Sequence, residues 1–427
     1  MERKTAEPTA TSDRQSRMVK GSPIYYGWLI LLAATLGMMM TSPGQTYGVS
    51  VFLDDIIAEL ELSRSTVSLL YTIGTLVGSF SLPFVGRFID RRGPRVAVVV
   101  VSALFALACL FMGFVSGLFS LLVGFVLIRG LGQGSLGLVS LHVINIWFVR
   151  RRGLAVGLSG LGIALATAFF PLLSQFLLDE VGWRVAYMLL GALVAVIMVP
   201  LGALFFRSHP EAYGLRPDSS IPKEETAERE VEYTAAQARR TLTFWLFVTG
   251  DFLVSALGTG LVFHHYSIMA ASGVDRLQAS AFYIPLGGLS AGSILLTGYL
   301  MDRVPPRFLL SISLGLLAAA IVLAGRASSA ELILLYGAVM GLANGMKGAI
   351  GGSVYAYYFG RKHLGSIKGS AITITVAGTA AGPLIYALGY EAAGSYLPVL
   401  MLSALLPLAV ALFAPFLRPL RPDGSVL

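Results

Sequence analysis

Three ionised side chains stand inside otherwise apolar stretches of this chain: Arg129, Asp251 and Lys347. A charge near the centre of a bilayer costs about 2.5–3.5 kcal/mol on the mildest scale, so each needs a water-filled cavity or a partner. Two chemistries suit them. Lys347 or Arg129 can bind the carboxylate of a solute, while Asp251 exchanges a proton or releases its cation when solute arrives. Alternatively, Asp251 pairs permanently with one of the two cations and holds helices together across the two halves of the chain. At a rise of about 1.5 Å per residue, Arg129 and Asp251 fall near mid-depth. Lys347 lies deeper toward the cytoplasm but reaches the centre through its long stem.

Tyr47, Tyr71, Asn145, Tyr283, Asn344 and Tyr355 are further polar or amphipathic groups within or beside the apolar runs and complete the candidate substrate site. Each also suits an interhelical hydrogen bond or an interfacial aromatic position. His264 and His265 are expected at the membrane interface. Cys109 is the one cysteine, which excludes an internal disulfide, a cysteine-based zinc site and an iron–sulfur cluster, and no metal or other cofactor is expected. No Gly-x-x-x-x-Gly-Lys-Ser/Thr stretch supports ATP hydrolysis. His142 with Asn145 is too thin a constellation for an enzyme.

The elements that must hold these groups are helices. Hydrophobic residues make up 56% of the chain and charged residues 13%, against about 45–50% and about 25% in soluble domains. Apolar runs long enough to cross a bilayer recur at about 26–47, 65–87, 95–116, 118–142, 154–177, 185–206, 242–268, 280–301, 307–326, 331–357, 364–388 and 396–417. Backbone groups in lipid must be satisfied within each segment, and the runs are too uniformly apolar for barrel strands. The fold class is therefore an all-α membrane protein with twelve transmembrane helices, its main partner the lipid bilayer.

Of the 31 Lys and Arg residues, 25 fall in the tails and alternate connections that share a side with the N-terminus, and four in the connections opposite: Arg64, Arg184, Arg276 and Arg326. That asymmetry places both termini in the cytoplasm of a multi-pass cell-membrane protein. It also accounts for the net charge of +8 without a nucleic-acid partner. The division expected is a cytoplasmic tail (1–25), a six-helix bundle (26–206), a polar cytoplasmic linker (207–241), a second bundle (242–418) and a short cytoplasmic tail (419–427).

The halves repeat. Gly86-Arg87-Phe88-Ile89-Asp90-Arg91-Arg92-Gly93-Pro94-Arg95 is echoed by Gly298-Tyr299-Leu300-Met301-Asp302-Arg303-Val304-Pro305-Pro306-Arg307 at an offset of 212, and Phe148-Val149-Arg150-Arg151-Arg152 by Phe359-Gly360-Arg361-Lys362-His363 at 211. Two landmarks at one spacing indicate duplication into two six-helix pseudo-repeats. Pro43-Gly44 in helix one and Gly258 with Gly260 in helix seven are expected to interrupt their helices at nearly equivalent places. Gly341 to Gly345 and Gly378 to Gly382 are small-residue patterns suited to close helix packing.

The segment Gly86 to Arg95 resembles the signature between helices two and three of major facilitator superfamily transporters. Arg129-Gly130-Leu131-Gly132-Gln133-Gly134 is similar to the Arg-Gly stretch of their fourth helix. Trp147 to Leu158, with Tyr25-Tyr26-Gly27-Trp28, resembles the monocarboxylate transporter family and its oxalate/formate-antiporter-like relatives. The resemblance implies the major facilitator fold, alternating access, and a gate in which Gly86 allows close helix contact while Asp90 and Arg91, echoed by Asp302 and Arg303, latch the halves. It also implies a small organic anion, a monocarboxylate, as substrate, with proton symport or antiport. Two departures stand: 282–300 carries no charge where such carriers place an arginine, and 369–382 carries no lysine. Proton-driven efflux of amphipathic compounds is the alternative within transport, and a membrane sensor without transport is the alternative outside it.

Overall fold

The computed structural model describes residues 19, 22–148, 151–217, 233–301, 303–360 and 363–416. Of the expected tails, 1–18, 20–21 and all of 419–427 lie outside the described residues, as do 218–232 of the linker and Asp302. Among the described residues, twelve spans follow one another. The first six are α1 (Gly27–Leu60), α2 (64–92), α3 (94–112), α4 (Leu118–Trp147), α5 (152–181) and α6 (183–205). The second six are α7 (Leu242–Phe263), α8 (Arg276–Leu300), α9 (Pro306–Ala324), α10 (Ala330–Phe359), α11 (Leu364–Ala393) and α12 (Tyr396–Phe413).

Several boundaries differ from expectation for physical reasons. The expected end of helix one at 47 is a break inside a longer helix. Pro43 cannot donate to the ladder, so Ser42–Gly44 tightens into a 3-10 turn and the helix resumes at Thr46. The Thr41 hydroxyl donates to the Met38 carbonyl at 2.7 Å and that of Ser42 to Met39 at 2.6 Å, meeting carbonyls that the interruption would leave bare. The segment Gly86 to Arg95 is not an open loop: it stays helical on both sides of Gly93, which alone turns the chain with φ 77° and ψ 160°. Gly182 does the same between α5 and α6, with φ 73° and ψ 165°. Only a residue without Cβ occupies that region at low cost.

Gly258 and Gly260, expected to interrupt helix seven, do not. α7 runs unbroken to Phe263, and the irregular residue is His264, after which His265–Ala271 continues the span. Both glycines instead admit neighbours: Met340 of α10 lies over Gly258, and Gly260 meets Tyr386 and the backbone of Gly382 on α11. Gly382 in turn packs on the Ala256 carbonyl, while Gly341 and Gly345 seat α10 on the backbone of α8. Small residues let these backbones touch where no hydrophobic drive separates protein from lipid. Across the halves, Gly287 of α8 sits on the Ala164 backbone of α5, and the Thr72 hydroxyl of α2 donates to the Ala380 carbonyl of α11 at 2.7 Å.

Gly182→Ala should lower the melting temperature of the purified protein, at a cost of about 1–3 kcal/mol for forcing a side chain into that backbone region. Gly86→Ala, which has no neighbour near its Cβ position, should leave it unchanged or raise it. Thermal unfolding in one detergent compares the two.

Candidate functional site

The Asp251 carboxylate sits on α7, facing α10 and α11. Lys347 Nζ of α10 lies 3.6 Å from its Oδ1, and the Thr375 hydroxyl of α11 donates to Oδ2 at 2.6 Å. Charge-assisted N–H···O contacts usually close to about 2.7–2.9 Å, so the lysine is held loosely and the threonine tightly. The Lys347 side chain keeps 29% of its surface exposed and that of Asp251 19%.

Lys347 stands at the junction of two cavities. One, of about 170 Å³, lies between the halves and is walled by α1, α5, α7, α8 and α10, with Tyr47 and Asn344 in its lining. The other is a recess of about 10 Å³ within the second half, lined by Asp251 and Tyr355, near the threshold of about 10–15 Å³ for a single water. The structure thus brings Lys347, Asp251, Asn344, Tyr47 and Tyr355 together. Asp251 pairs within the second half, so the expected pairing across the halves is not what is found.

Arg129 is placed elsewhere. It is 2% exposed and lines neither cavity. Its Nη1 donates to the Gly44 carbonyl at 2.8 Å, at the break in α1, and its Nε to the Thr75 hydroxyl of α2 at 2.9 Å. The guanidinium lies 4.6 Å from the centre of the Tyr71 ring. Beneath it, α4 widens into a π-helix over Arg129–Leu136, a distortion that lets the bulky group and the nearby glycines fit against the break. Arg129 therefore caps a carbonyl that the interrupted helix would leave bare.

Tyr71 and Tyr283 also line neither cavity. The Tyr71 hydroxyl bonds Thr46 at 2.8 Å and its ring lies 4.5 Å from Phe263 across the halves. The Tyr283 hydroxyl bonds Ser50 at 3.0 Å, again across the halves. Asn145 stands in the last turn of α4, away from the cavity lining. His264 and His265, expected at the interface, are fully buried: their Nε2 atoms bond the Pro383 and Ala279 carbonyls at 2.8 and 2.9 Å.

Among the described residues, the expected gate residues do not pair with one another. Asp90 and Arg91 are exposed and make no ion pair among the described residues. Arg303 turns onto its own helix, over the Tyr299 ring at 3.7 Å. A clasp that the sequence reading missed closes the opposite face. Arg64 Nη2 pairs with Asp54 at 2.7 Å, and Ser267 of the second half accepts from Arg64 at 2.6 Å while donating to Asp54 at 2.7 Å. Arg276 pairs with Asp55 at 2.7 Å, and the Ser65 amide donates to Glu391 at 2.9 Å. The signal was available: Arg64 and Arg276 are two of only four basic residues on that side.

Two six-helix bundles around a central cavity with a loosely paired lysine define a membrane carrier. The model of the major facilitator superfamily matches residues 27–324 and 276–426, and the chain belongs to that superfamily of transporters, which are not enzymes. It is 26% identical over 302 residues to an oxalate:formate antiporter of Oxalobacter formigenes, covering 69% of this chain and 68% of that protein. It is 29% identical over 285 residues to monocarboxylate transporter 13 of Bos taurus, covering 66% of this chain and 62% of that protein, less than two thirds of its length. In fold it is similar to a bacterial homologue of the human lysosomal transporter Spinster, solved in an inward-facing, unoccupied conformation, with a TM-score of 0.67, 18% identity and coverage of 91% and 95% of the two chains.

Removing the clasp with Arg64→Ala and Arg276→Ala should open the cavity toward the clasped face. Two half-exposed ion pairs at about 0.2–1 kcal/mol each correspond to a rise of roughly two- to thirtyfold in labelling of a Ser255→Cys reporter by an impermeant thiol reagent on that face. Cys109 is buried and gives little background.

Proposed function

We propose that this chain moves a small organic anion, a monocarboxylate, across the cell membrane by alternating access, with proton coupling or exchange. The observation that carries this reading is the 3.6 Å Lys347–Asp251 pair at the wall of the cavity between the halves. A cation held at that distance and still partly exposed can turn to a solute carboxylate. Asp251 then keeps Thr375 and can take a proton, so that the loaded site never holds an uncompensated charge, the condition that desolvation imposes on any ion there. A single lining cation favours a monoanion over a dianion, as does the absence of a lysine from 369–382.

With both termini in the cytoplasm, the clasped face is the outer one and the conformation is inward-facing. Asp90 and Arg91, exposed and without an ion pair among the described residues, and the open space around the Cβ position of Gly86 support this. Closing the inner face would bring the Gly86 to Arg95 segment and its echo, with Asp302 and Arg303, against the opposite half. The rigid units of the motion are 26–206 and 242–418, joined by 207–241. Arg129 acts by bracing α1, not by touching the solute.

Proteoliposomes loaded with labelled formate, lactate or butyrate, with and without a pH gradient, test the proposal. Lys347→Ala should abolish carboxylate flux while the protein stays folded. Asp251→Asn should retain anion exchange but lose its response to the gradient. Flux of a cationic dye with none of any carboxylate would overturn the reading in favour of efflux.

A further inference from the structure

The hydrogen-bonding groups of the cavity divide into two sets. On α1 and α5 they are engaged: Thr46 with the Tyr71 hydroxyl at 2.8 Å, Tyr47 with Ser42 at 2.9 Å, and Thr167 with the Ile163 carbonyl at 2.9 Å. On α7 and α10 the uncharged ones have no such partner among the described residues, and only Lys347 is paired, with Asp251. Ser255 is only 4% exposed, lines the cavity, and its Oγ has no hydrogen-bond partner among the described residues. Thr259 and Asn344 line the same cavity with no side-chain hydrogen bond to the described protein. Asp251, Ser255 and Thr259 follow at intervals of four, one stripe on α7, and Asn344 lies three residues before Lys347 on α10. From the level of Asp251 the stripe rises roughly 6 Å to Ser255 and roughly 12 Å to Thr259.

Resting on the reading of Lys347 as the carboxylate ligand, we infer that the carried anion is a hydroxylated monocarboxylate. Its carboxylate meets Lys347, and its hydroxyl-bearing body lies along Ser255, Thr259 and Asn344. A solute that displaces water from these groups must return their hydrogen bonds or lose affinity. A plain alkyl chain returns none, and leaves the buried Ser255 hydroxyl without partner or water. A second carboxylate fares no better, because Lys347 is the one charged residue in the described lining of this cavity.

Competition against labelled 2,3,4-trihydroxybutyrate in proteoliposomes, with butyrate and succinate as the matched alkyl acid and dianion, tests this. The wild-type KM for trihydroxybutyrate should be at least roughly tenfold below that for butyrate, with succinate excluded. Ser255→Ala, Thr259→Val and Asn344→Leu should each narrow that ratio by roughly three- to tenfold, the worth of one neutral hydrogen bond. Thr259→Val keeps the side-chain shape and Ser255→Ala removes one oxygen, so folding is preserved in at least these two. Equal KM values for the hydroxylated and plain acids, or variants that shift both alike, would overturn the inference and leave the anion reading standing. Absence of Lys347-dependent flux for all three acids would overturn the anion reading and this inference with it.

Discussion

One constraint organises this molecule: a lysine ammonium must be kept in a helix bundle that offers little water to hydrate it. Lys347 is accommodated by a carboxylate on the facing helix, by partial exposure to the central cavity, and by a hydroxyl that holds the carboxylate from a third helix. The compensation is incomplete by design of distance, since 3.6 Å leaves the cation available to another partner. A tighter pair would be a permanent strut; an absent one would leave the ammonium to be compensated by the cavity alone.

The other intramembrane cation illustrates the opposite solution. Arg129 spends two of its nitrogens on Gly44 and Thr75 and its face on Tyr71. The broken α1, the π-helical stretch of α4 and this guanidinium form one unit, in which a helix irregularity is tolerated because a neighbouring side chain satisfies the freed carbonyl. Arginine suits the task because its planar fork reaches two acceptors at once and cannot lose its proton.

The two faces of the carrier are unequal. The clasp joins α1 and α2 to α7, α8 and α11 through Asp54, Asp55, Arg64, Ser267, Arg276 and Glu391. At the other end, Asp90, Arg91 and Arg303 are exposed. Ion pairs of this half-hydrated kind are individually weak, which suits contacts that a transport cycle must form and break. Close glycine packing within each half, as at Gly382 on Ala256 and Gly345 on α8, gives the bodies that move a stiffness the clasp lacks.

The sequence by itself determined the number of helices, their approximate ends and the duplication, because apolar run length and residue count measure position along the membrane normal directly. It could not determine which way each side chain points. These helices are apolar nearly all round, so no periodic stripe separates the face toward the cavity from the face toward a neighbour, and Tyr47 could not be told from Tyr71 or Lys347 from Arg129. Tertiary packing alone decided that Arg129 braces the break in α1, that Gly258 and Gly260 admit neighbours and leave α7 straight, and that Asp251 meets Lys347 within one half. The physical reason is that a side chain's direction and partner depend on how helices distant in the chain rotate and close on one another, and glycine contacts and freed carbonyls set that rotation.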